Sequence, residues 1–356
     1  MTDKAIIIGG AGFIGTNLAI SAIEKGYEVI IFDDLSRGGA DLNLKYIEGL
    51  DIGKFSFIKG DICKSEDVYK LFKDNKDCSV IFHLAAQVAV TFSVEDPRND
   101  FNINAFGTLN VLESIRKLGI SAPLLYSSTN KVYGKMENVE VSEHDSFYNY
   151  KDLPFGVPES FPLEFYSPYG CSKGSADQYV LDYSRIFGLK TVVFRQSCIY
   201  GYNQFGIEDQ GWVAWFTIAA LFGKPITIFG NGKQVRDVLF INDLVSAFWE
   251  ATKKIEVTNG QAYNIGGGPN FKMSLLQLLK YLGYQPILNH CNICNQNLIS
   301  GIYCFNTGQL ICSNCNNQSS SIKINSIELQ MLNNLYSTHI KKINIMNIQC
   351  NMNSAQ

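Results

Sequence analysis

Three groups of residues in this 356-residue chain have the types and spacing to do chemistry. Tyr169 and Lys173 form Tyr-x-x-x-Lys, which on a helix sets a phenol and an ammonium on one face. A phenol with a reference pKa near ~10 is a poor base at neutral pH, and a nearby ammonium favours the phenolate. The activated oxygen could take a proton from a hydroxyl while hydride leaves the same carbon. Most Tyr-x-x-x-Lys pairs are solvated helix faces. Thr129 sets this one apart: it follows the apolar run 122–126, and its hydroxyl can share a substrate hydrogen bond.

The second group is Gly9, Gly12 and Gly15 in GGAGFIG, lying between the apolar run 4–8 and an amphipathic stretch over 13–25. Glycines here permit a tight turn, close approach of backbone to a pyrophosphate, and close helix–strand packing. The helix start then offers its positive end to the phosphates. Asp33, at the end of the next apolar run, can accept hydrogen bonds from an adenosine ribose and repels a 2′-phosphate. That favours NAD over NADP, and Arg37 close by acts in the opposite sense. The competing reading is a Gly-rich turn with no cofactor.

The third group is Cys291-x-x-Cys294 and Cys312-x-x-Cys315, with 17 residues between the pairs. Two such knuckles suit a tetrahedral four-thiolate zinc site, and unliganded thiols are the alternative. Cys304 between them is surplus. Cys63, Cys78, Cys171 and Cys198 are scattered singly, as buried reduced thiols are.

The elements that must carry these groups follow from hydrophobic pattern. Apolar runs at 4–8, 28–32, 55–58, 79–83, 122–126 and 190–194 alternate with helix-length segments. Near-continuous apolarity marks strands buried on both faces, which predicts an α/β fold with a Rossmann-type doubly wound parallel sheet. Ligands of such sheets bind at the C-terminal strand edge, where Thr129 falls. The stretch 134–166, with Pro154, Pro158 and Pro162, reads as a pocket-shaping loop insertion. His83 ends a strand and reads as a structural residue. Trp212, Trp215 and Phe216 divide evenly between core packing and a pocket role, and Asp209 and Gln210 beside them suit sugar recognition.

Composition bounds the rest. The net charge of -3 opposes broad binding to nucleic acid or anionic membranes. No apolar run approaches the ~18 residues of a membrane span. A strand within five residues of the start leaves no room for a signal peptide, so the cytoplasm is the expected compartment.

The chain resembles the extended short-chain dehydrogenase/reductases that modify nucleotide sugars. The resemblance rests on GGAGFIG (9–15), FDDLSRGG (32–39), GDI (60–62), HLAAQ (83–87), NAFGTLNVLE (104–113), SSTNKVYG (127–134), YGCSK (169–173) and RDVLFINDL (236–244). It implies that Phe13 and Ile14 join the glycines around NAD, that Asp61 and Ile62 line the adenine, and that Ala85 and Asn104 flank the cofactor. Thr129, Tyr169 and Lys173 become the catalytic trio, with Tyr169 and Lys173 also touching the cofactor. Arg236 becomes the grip on a substrate diphosphate, for which a guanidinium fork is suited. The 4,6-dehydratases of this family carry Asp-Glu after the catalytic Thr. Asn130 and Lys131 stand there instead, which argues against elimination and places both beside the substrate. STNKVYG, FGIEDQGWVAWF (205–216) and GNGKQVRDVLF (230–240) resemble the CDP-paratose 2-epimerases, also called CDP-tyvelose epimerases. That likeness implies transient oxidation of C2 of a CDP-hexose and its re-reduction from the other face. Gln210 falls within it as a substrate residue, and family relatives pair through two helices, one bearing Tyr-x-x-x-Lys.

Beyond about residue 286 the composition shifts to Asn and Ile, with no Asp or Arg. From FKMSLLQLLKYLGYQPILNHCNIC (271–294) to IKINSIELQMLNNL (322–335) the chain resembles the C-terminal part of the recombination and repair protein RecO. We therefore expect three parts: an epimerase-like domain over 1–270 with a truncated substrate lobe, a RecO-like zinc-knuckle segment over 271–335, and a disordered tail over 336–356. The join is either a natural fusion or a product of rearrangement or sequence assembly. An incomplete substrate lobe predicts that NAD binding survives better than turnover. A zinc-dependent repair module is the alternative function. Lys323, Lys341 and Lys342 are too few cations for a strong phosphate-binding patch.

Overall fold

The computed structural model describes residues 2–144, 146–224, 226, 231–275, 277–278, 290–291, 293–298, 300–304, 309–315 and 321–326. The described chain divides into two compact units. The first comprises 1–138, 155–211 and 238–268, and the second comprises 139–154, 212–237 and 269–356.

In the first unit, the apolar runs become strands β1 (Lys4–Ile8), β2 (Glu28–Asp33), β3 (Phe55–Lys59), β4 (Val80–His83) and β5 (Leu124–Thr129). A hairpin in the other unit, described below, supplies β6 and β7. The first unit continues with β8 (Thr191–Gln196), β9 (Cys198–Tyr200) and β11 (Gln261–Ile265). Seven strands form one parallel sheet in the order β11-β8-β5-β4-β1-β2-β3. The order reverses between β1 and β4, so the chain leaves β1 and β4 in opposite directions and opens a crevice at their C-terminal ends.

Helices cover both faces, as strands this apolar require. On one face α1 (Phe13–Glu24) and α9 (Ile241–Lys253) pack Leu18, Ala19, Leu244 and Phe248 against Ile7, Val29 and Phe82. On the other, α3 (Ser65–Asp74), α6 (Gly107–Leu118) and α7 (Ser167–Phe187) bury Leu71, Phe72, Val111, Leu112 and Val180 against Ile6, Ile81 and Tyr126. The shorter α2 (Ala40–Gly49), α4 (Val90–Glu95) and α5 (Pro97–Phe101) follow β2 and β4. One π-helical turn, Asn102–Phe106, joins α5 to α6. Such turns concentrate at functional sites.

α7 is fixed to the sheet by a buried ion pair. Asp177 accepts two bonds from Arg195 of β8, Nε to Oδ2 and Nη2 to Oδ1, each at 3.0 Å, and a third from Ser128 Oγ at 2.7 Å. Arg195 also donates to the Tyr133 hydroxyl at 3.0 Å.

The second unit corrects one expectation. The stretch read as a loop insertion contains an antiparallel hairpin, β6 (Val141–Glu143) with β7 (Tyr148–Tyr150), because its aromatic and β-branched residues find cross-strand partners. Strand β12 (Lys272–Ser274) pairs its backbone with residues 235–237 of β10 (Val235–Phe240). Helix α8 (Trp212–Leu221) carries Trp212, Trp215 and Phe216, and Phe216 is buried. The three antiparallel strands β13 (Gly301–Cys304), β14 (Gln309–Ile311) and β15 (Ser321–Ile324) follow the first cysteine pair. The tail 336–356 and most of LLKYLGYQP lie outside the described residues.

The side chains of Arg195 and Asp177 are 4% and 0% exposed, so Asp177→Asn leaves a buried guanidinium without its counter-charge. We expect a loss of about 3–5 kcal/mol in urea-induced unfolding. A change below about 1 kcal/mol, the range of an exposed pair, would mean that the pair does not anchor α7.

Candidate active site

The crevice is built first by glycines. Gly9 has φ +83°, and a Cβ there would stand 2.5 Å from the Ala85 backbone nitrogen. That close approach draws the β4 loop against the β1 loop. At Gly15 a Cβ would lie 2.6 Å from Gly10 Cα, so only glycine lets α1 start this close to β1. Gly12 is the N-cap of α1 and no side chain caps the first turn, which leaves the amides of Phe13 and Ile14 available to a phosphate. Asp33 closes one side: its two oxygens accept the Ala11 and Leu35 amides at 3.0 and 2.9 Å. Burial raises its pKa, and the two amides oppose the shift. Asp61 and Ile62 follow β3; Asp61 accepts the Cys63 amide at 2.8 Å, and the Ile62 carbonyl accepts from Asn110 at 2.9 Å. A turn with free amides, a carboxylate at the end of β2 and a half-buried adenine-side wall together fit a dinucleotide.

Asn104 ties the crevice to the catalytic helix. Its Oδ1 accepts the Gln87 amide at 2.9 Å, and its Nδ2 donates to Asp100 Oδ1 at 3.1 Å and Ser172 Oγ at 3.0 Å. Ser172 in turn donates to Asp100 Oδ2. Sequence alone does not single out Asp100, Ser172 or Gln87. Ser172 sits inside YGCSK, and Asp100 precedes Asn104 by one helical turn, so the i, i+4 spacing was the available signal.

Thr129, at the last position of β5, meets Tyr169 through a side-chain hydrogen bond, and Lys173 lies one turn further along α7. All three are buried. Lys173 Nζ donates to the Ser127 carbonyl at 2.6 Å and stands 4.3 Å from the centre of the Tyr126 ring. The expected electrostatics need correction. Burial pushes the Tyr169 phenol up to about 12, the Thr129 bond pulls against that shift, and Asp100 adds to it. Burial also takes Lys173 down to about 7, against the carboxylates of Asp177 and Asp100. Lysine and tyrosine share one dry environment, which disfavours the charged form of each, so the lysine holds its proton less firmly than a solvated one. His83 is structural: its Nε2 lies 3.0 Å from Thr108 Oγ1, and burial, then Lys173, lower it to about 3.

Asn130 and Lys131 form the short 3-10 turn directly after Thr129. The Gln210 side-chain oxygen accepts from Arg37. Arg236 belongs to the second unit, half-buried on β10, and donates to the Val235 carbonyl at 2.9 Å.

The sulfurs of Cys291, Cys294, Cys312 and Cys315 all lie within 4.8 Å of one another. Cys294 and Cys312 sulfurs are 3.8 Å apart, and zinc–sulfur bonds of ~2.3 Å give a tetrahedral edge of about 3.8 Å. Asn295, at φ 63°, turns the first knuckle back on itself. Burial opposes ionisation of Cys291, but the amides of Cys294, Cys312 and Ile293 outweigh it and bring the thiol down to about 6. A thiol held near neutrality and three sulfurs converging on it fit a divalent cation. The side chain of Cys304 lies outside the described residues.

Residues 5–266 match the NAD dependent epimerase/dehydratase family, and the chain belongs to it. Residues 271–350 match the family described as Recombination protein O C terminal. The CDP-paratose 2-epimerase of Salmonella typhi is 48% identical over 295 residues, covering 82% of this chain and 85% of the relative. That span runs past residue 270 wherever it begins, so the two likenesses share the stretch just after 270. A UDP-glucose 4-epimerase of Mycolicibacterium smegmatis is 34% identical, covering 74% of this chain and 77% of the relative. Among solved structures, the Thermotoga maritima UDP-glucose 4-epimerase with UDP-glucose superposes with a TM-score of 0.65 at 34% identity, covering 78% of this chain and 81% of that one. The Thermus thermophilus UDP-glucose 4-epimerase in complex with NAD gives 0.64 at 28% identity, with 79% and 82% covered. Among the described residues no helix is long and apolar enough to cross a membrane.

Lys173 gives a pH prediction. Its folded value of about 7 lies below its unfolded value of ~10.4. Between the two the unfolded chain holds the extra proton, so stability rises with pH from 7 towards 10. Urea midpoints of the ligand-free protein at pH 7 and 9 should show this rise, and Lys173→Met should remove it. An identical slope in the variant would place the charge elsewhere.

Proposed function

We propose that the chain is a nucleotide-sugar epimerase that inverts C2 of a CDP-linked dideoxyhexose, interconverting CDP-paratose and CDP-tyvelose through a transient 2-keto sugar. The observation that carries this reading is Thr129, Tyr169 and Lys173 at one strand edge, followed by Asn130 and Lys131. No carboxylates stand at those two positions to drive elimination. The 48% identity to a CDP-paratose 2-epimerase supports the choice of sugar and base.

In this mechanism Tyr169 Oη takes the proton of the sugar hydroxyl, with Thr129 Oγ1 sharing the hydrogen bond. Lys173, held at the Ser127 carbonyl, receives positive charge more easily as Tyr169 becomes anionic, and the pair shuttles one proton out and back. Gly9, Gly12, Phe13, Ile14, Gly15, Asp33, Asp61, Ile62, Ala85 and Asn104 would hold NAD, which when bound would supply the hydride acceptor and a positive charge favouring the Tyr169 phenolate. Arg236 grips the substrate diphosphate. The likeness to the Salmonella relative covers 85% of it and a second family match begins at 271, so a shortened substrate lobe is expected to lower turnover below that of an unbroken epimerase.

For the second segment we propose one zinc held by Cys291, Cys294, Cys312 and Cys315, with the metal knitting β13–β15. The match to the RecO C terminus supports this, and a DNA-repair role is the second reading it favours. We further propose a homodimer through α6 and α7, on whose surface Tyr179, Ile186 and Phe187 are exposed.

Proton NMR of CDP-paratose incubated with the protein should show the C2 epimer. Inversion at C4 instead would point to the UDP-glucose 4-epimerase type. Tyr169→Phe should lower the rate by about 10²–10⁴-fold with NAD still bound. An unchanged rate would remove Tyr169 from the chemistry. Native mass spectrometry should find one zinc and one NAD per chain in a dimer, with zinc lost in Cys291→Ser/Cys312→Ser. Zinc retained by that variant would refute the four-thiolate site, and tight binding of single-stranded DNA would favour the repair reading.

A further inference from the structure

Loop 202–210 lies in the first unit and is bonded to α1, α2, α4 and the turn after β2. The Tyr202 carbonyl accepts from Asn17 of α1 at 2.9 Å, and the Asn203 carbonyl accepts from Asn43 of α2 at 3.3 Å. The ring of Phe205 lies against Gly39, where its Cγ is 2.5 Å from the place of a Cβ. Any other residue at Gly39, itself at φ +89°, would push this loop away. Asp209 receives a long bond of 3.4 Å from Thr91 of α4. The last contact is the most informative: Arg37 Nη2 donates to the side-chain oxygen of Gln210.

Arg37 stands four residues beyond Asp33 and is the one cation of the turn DLSRGG. An arginine there is what a dinucleotide fold uses to receive a ribose 2′-phosphate, as an acid at the end of β2 is what it uses to hold an unphosphorylated ribose. This turn carries both groups, and its sequence does not say which one governs. A neutral amide oxygen satisfies part of the guanidinium fork and fixes its direction without adding charge.

We propose that Gln210 determines which dinucleotide the crevice accepts: by clasping Arg37 it withholds the turn's cation from a 2′-phosphate and leaves Asp33 to select NAD. The proposal rests on the crevice being a dinucleotide site, and it moves Gln210 from the sugar to the cofactor rim.

The test is binding of NADH and NADPH, followed by fluorescence, to the full-length protein stripped of cofactor. Gln210→Ala should raise NADPH affinity relative to NADH by about tenfold, the worth of one freed charge-assisted bond. In the Arg37→Ala background the same change should have no such effect, and Gln210→Glu, which pairs with Arg37, should deepen the preference for NADH. An unchanged ratio in Gln210→Ala, or an equal shift without Arg37, overturns the proposal while the dinucleotide site stands. A wild-type protein with native circular dichroism that binds neither nucleotide overturns both.

Discussion

The site depends on holding a lysine in a place with almost no water. Lys173 is enclosed between α7 and β5, its ammonium satisfied by one carbonyl and one aromatic ring. Burying that group is unfavourable, and the structure offsets it with carboxylates on both sides, Asp177 on α7 and Asp100 on α5. Each carboxylate is itself tied down, Asp177 by Arg195 and Ser128, Asp100 by Ser172 and Asn104. The same bonds hold the helix to the sheet. Position and protonation state of the lysine are therefore set by one network, and neither can be altered without the other.

That network reaches the cofactor crevice through Asn104. One amide side chain holds the backbone of the β4 loop, the carboxylate of Asp100 and the hydroxyl beside Lys173. The π-helical turn over Asn102–Phe106 brings Asn104 under the loop. The glycines act on the other side, since Gly9 and Gly15 permit backbone approaches that a single methyl group would block. Crevice and catalytic helix are thus parts of one rigid arrangement. In the second unit, among the described residues, Cys291 and Cys312 are buried together with Ile302 and Ile311, so the sulfurs sit inside the apolar contact of β13 and β14.

Much of the first unit is legible in the chain alone. Strands buried on both faces must be apolar almost throughout, so the runs at 4–8, 28–32 and 190–194 read directly as β1, β2 and β8. The glycines, Asp33 and the pair Tyr169 and Lys173 are legible because local geometry dictates residue type there. The hairpin β6–β7 was not, because its two short strands are stabilised by cross-strand pairs that no local period announces. Asp100 and Ser172 were missed for a related reason, since each looks like an ordinary polar helix residue until its partner from a distant segment is known.

By itself, then, the sequence determined the doubly wound sheet, the nucleotide turn, the phenol–ammonium pair and the two cysteine knuckles, all of them patterns that repeat within a few residues of themselves. Tertiary structure alone decided the ionisation of that pair. Spacing predicted a charged lysine lowering a tyrosine, whereas burial brings the lysine down to about 7 and lifts the tyrosine to about 12. It also decided the partner of Arg37, which is Gln210 from a loop far along the chain. The reason is common to both: desolvation and long-range contact depend on what the rest of the fold places around a group, and no local pattern of residues encodes that.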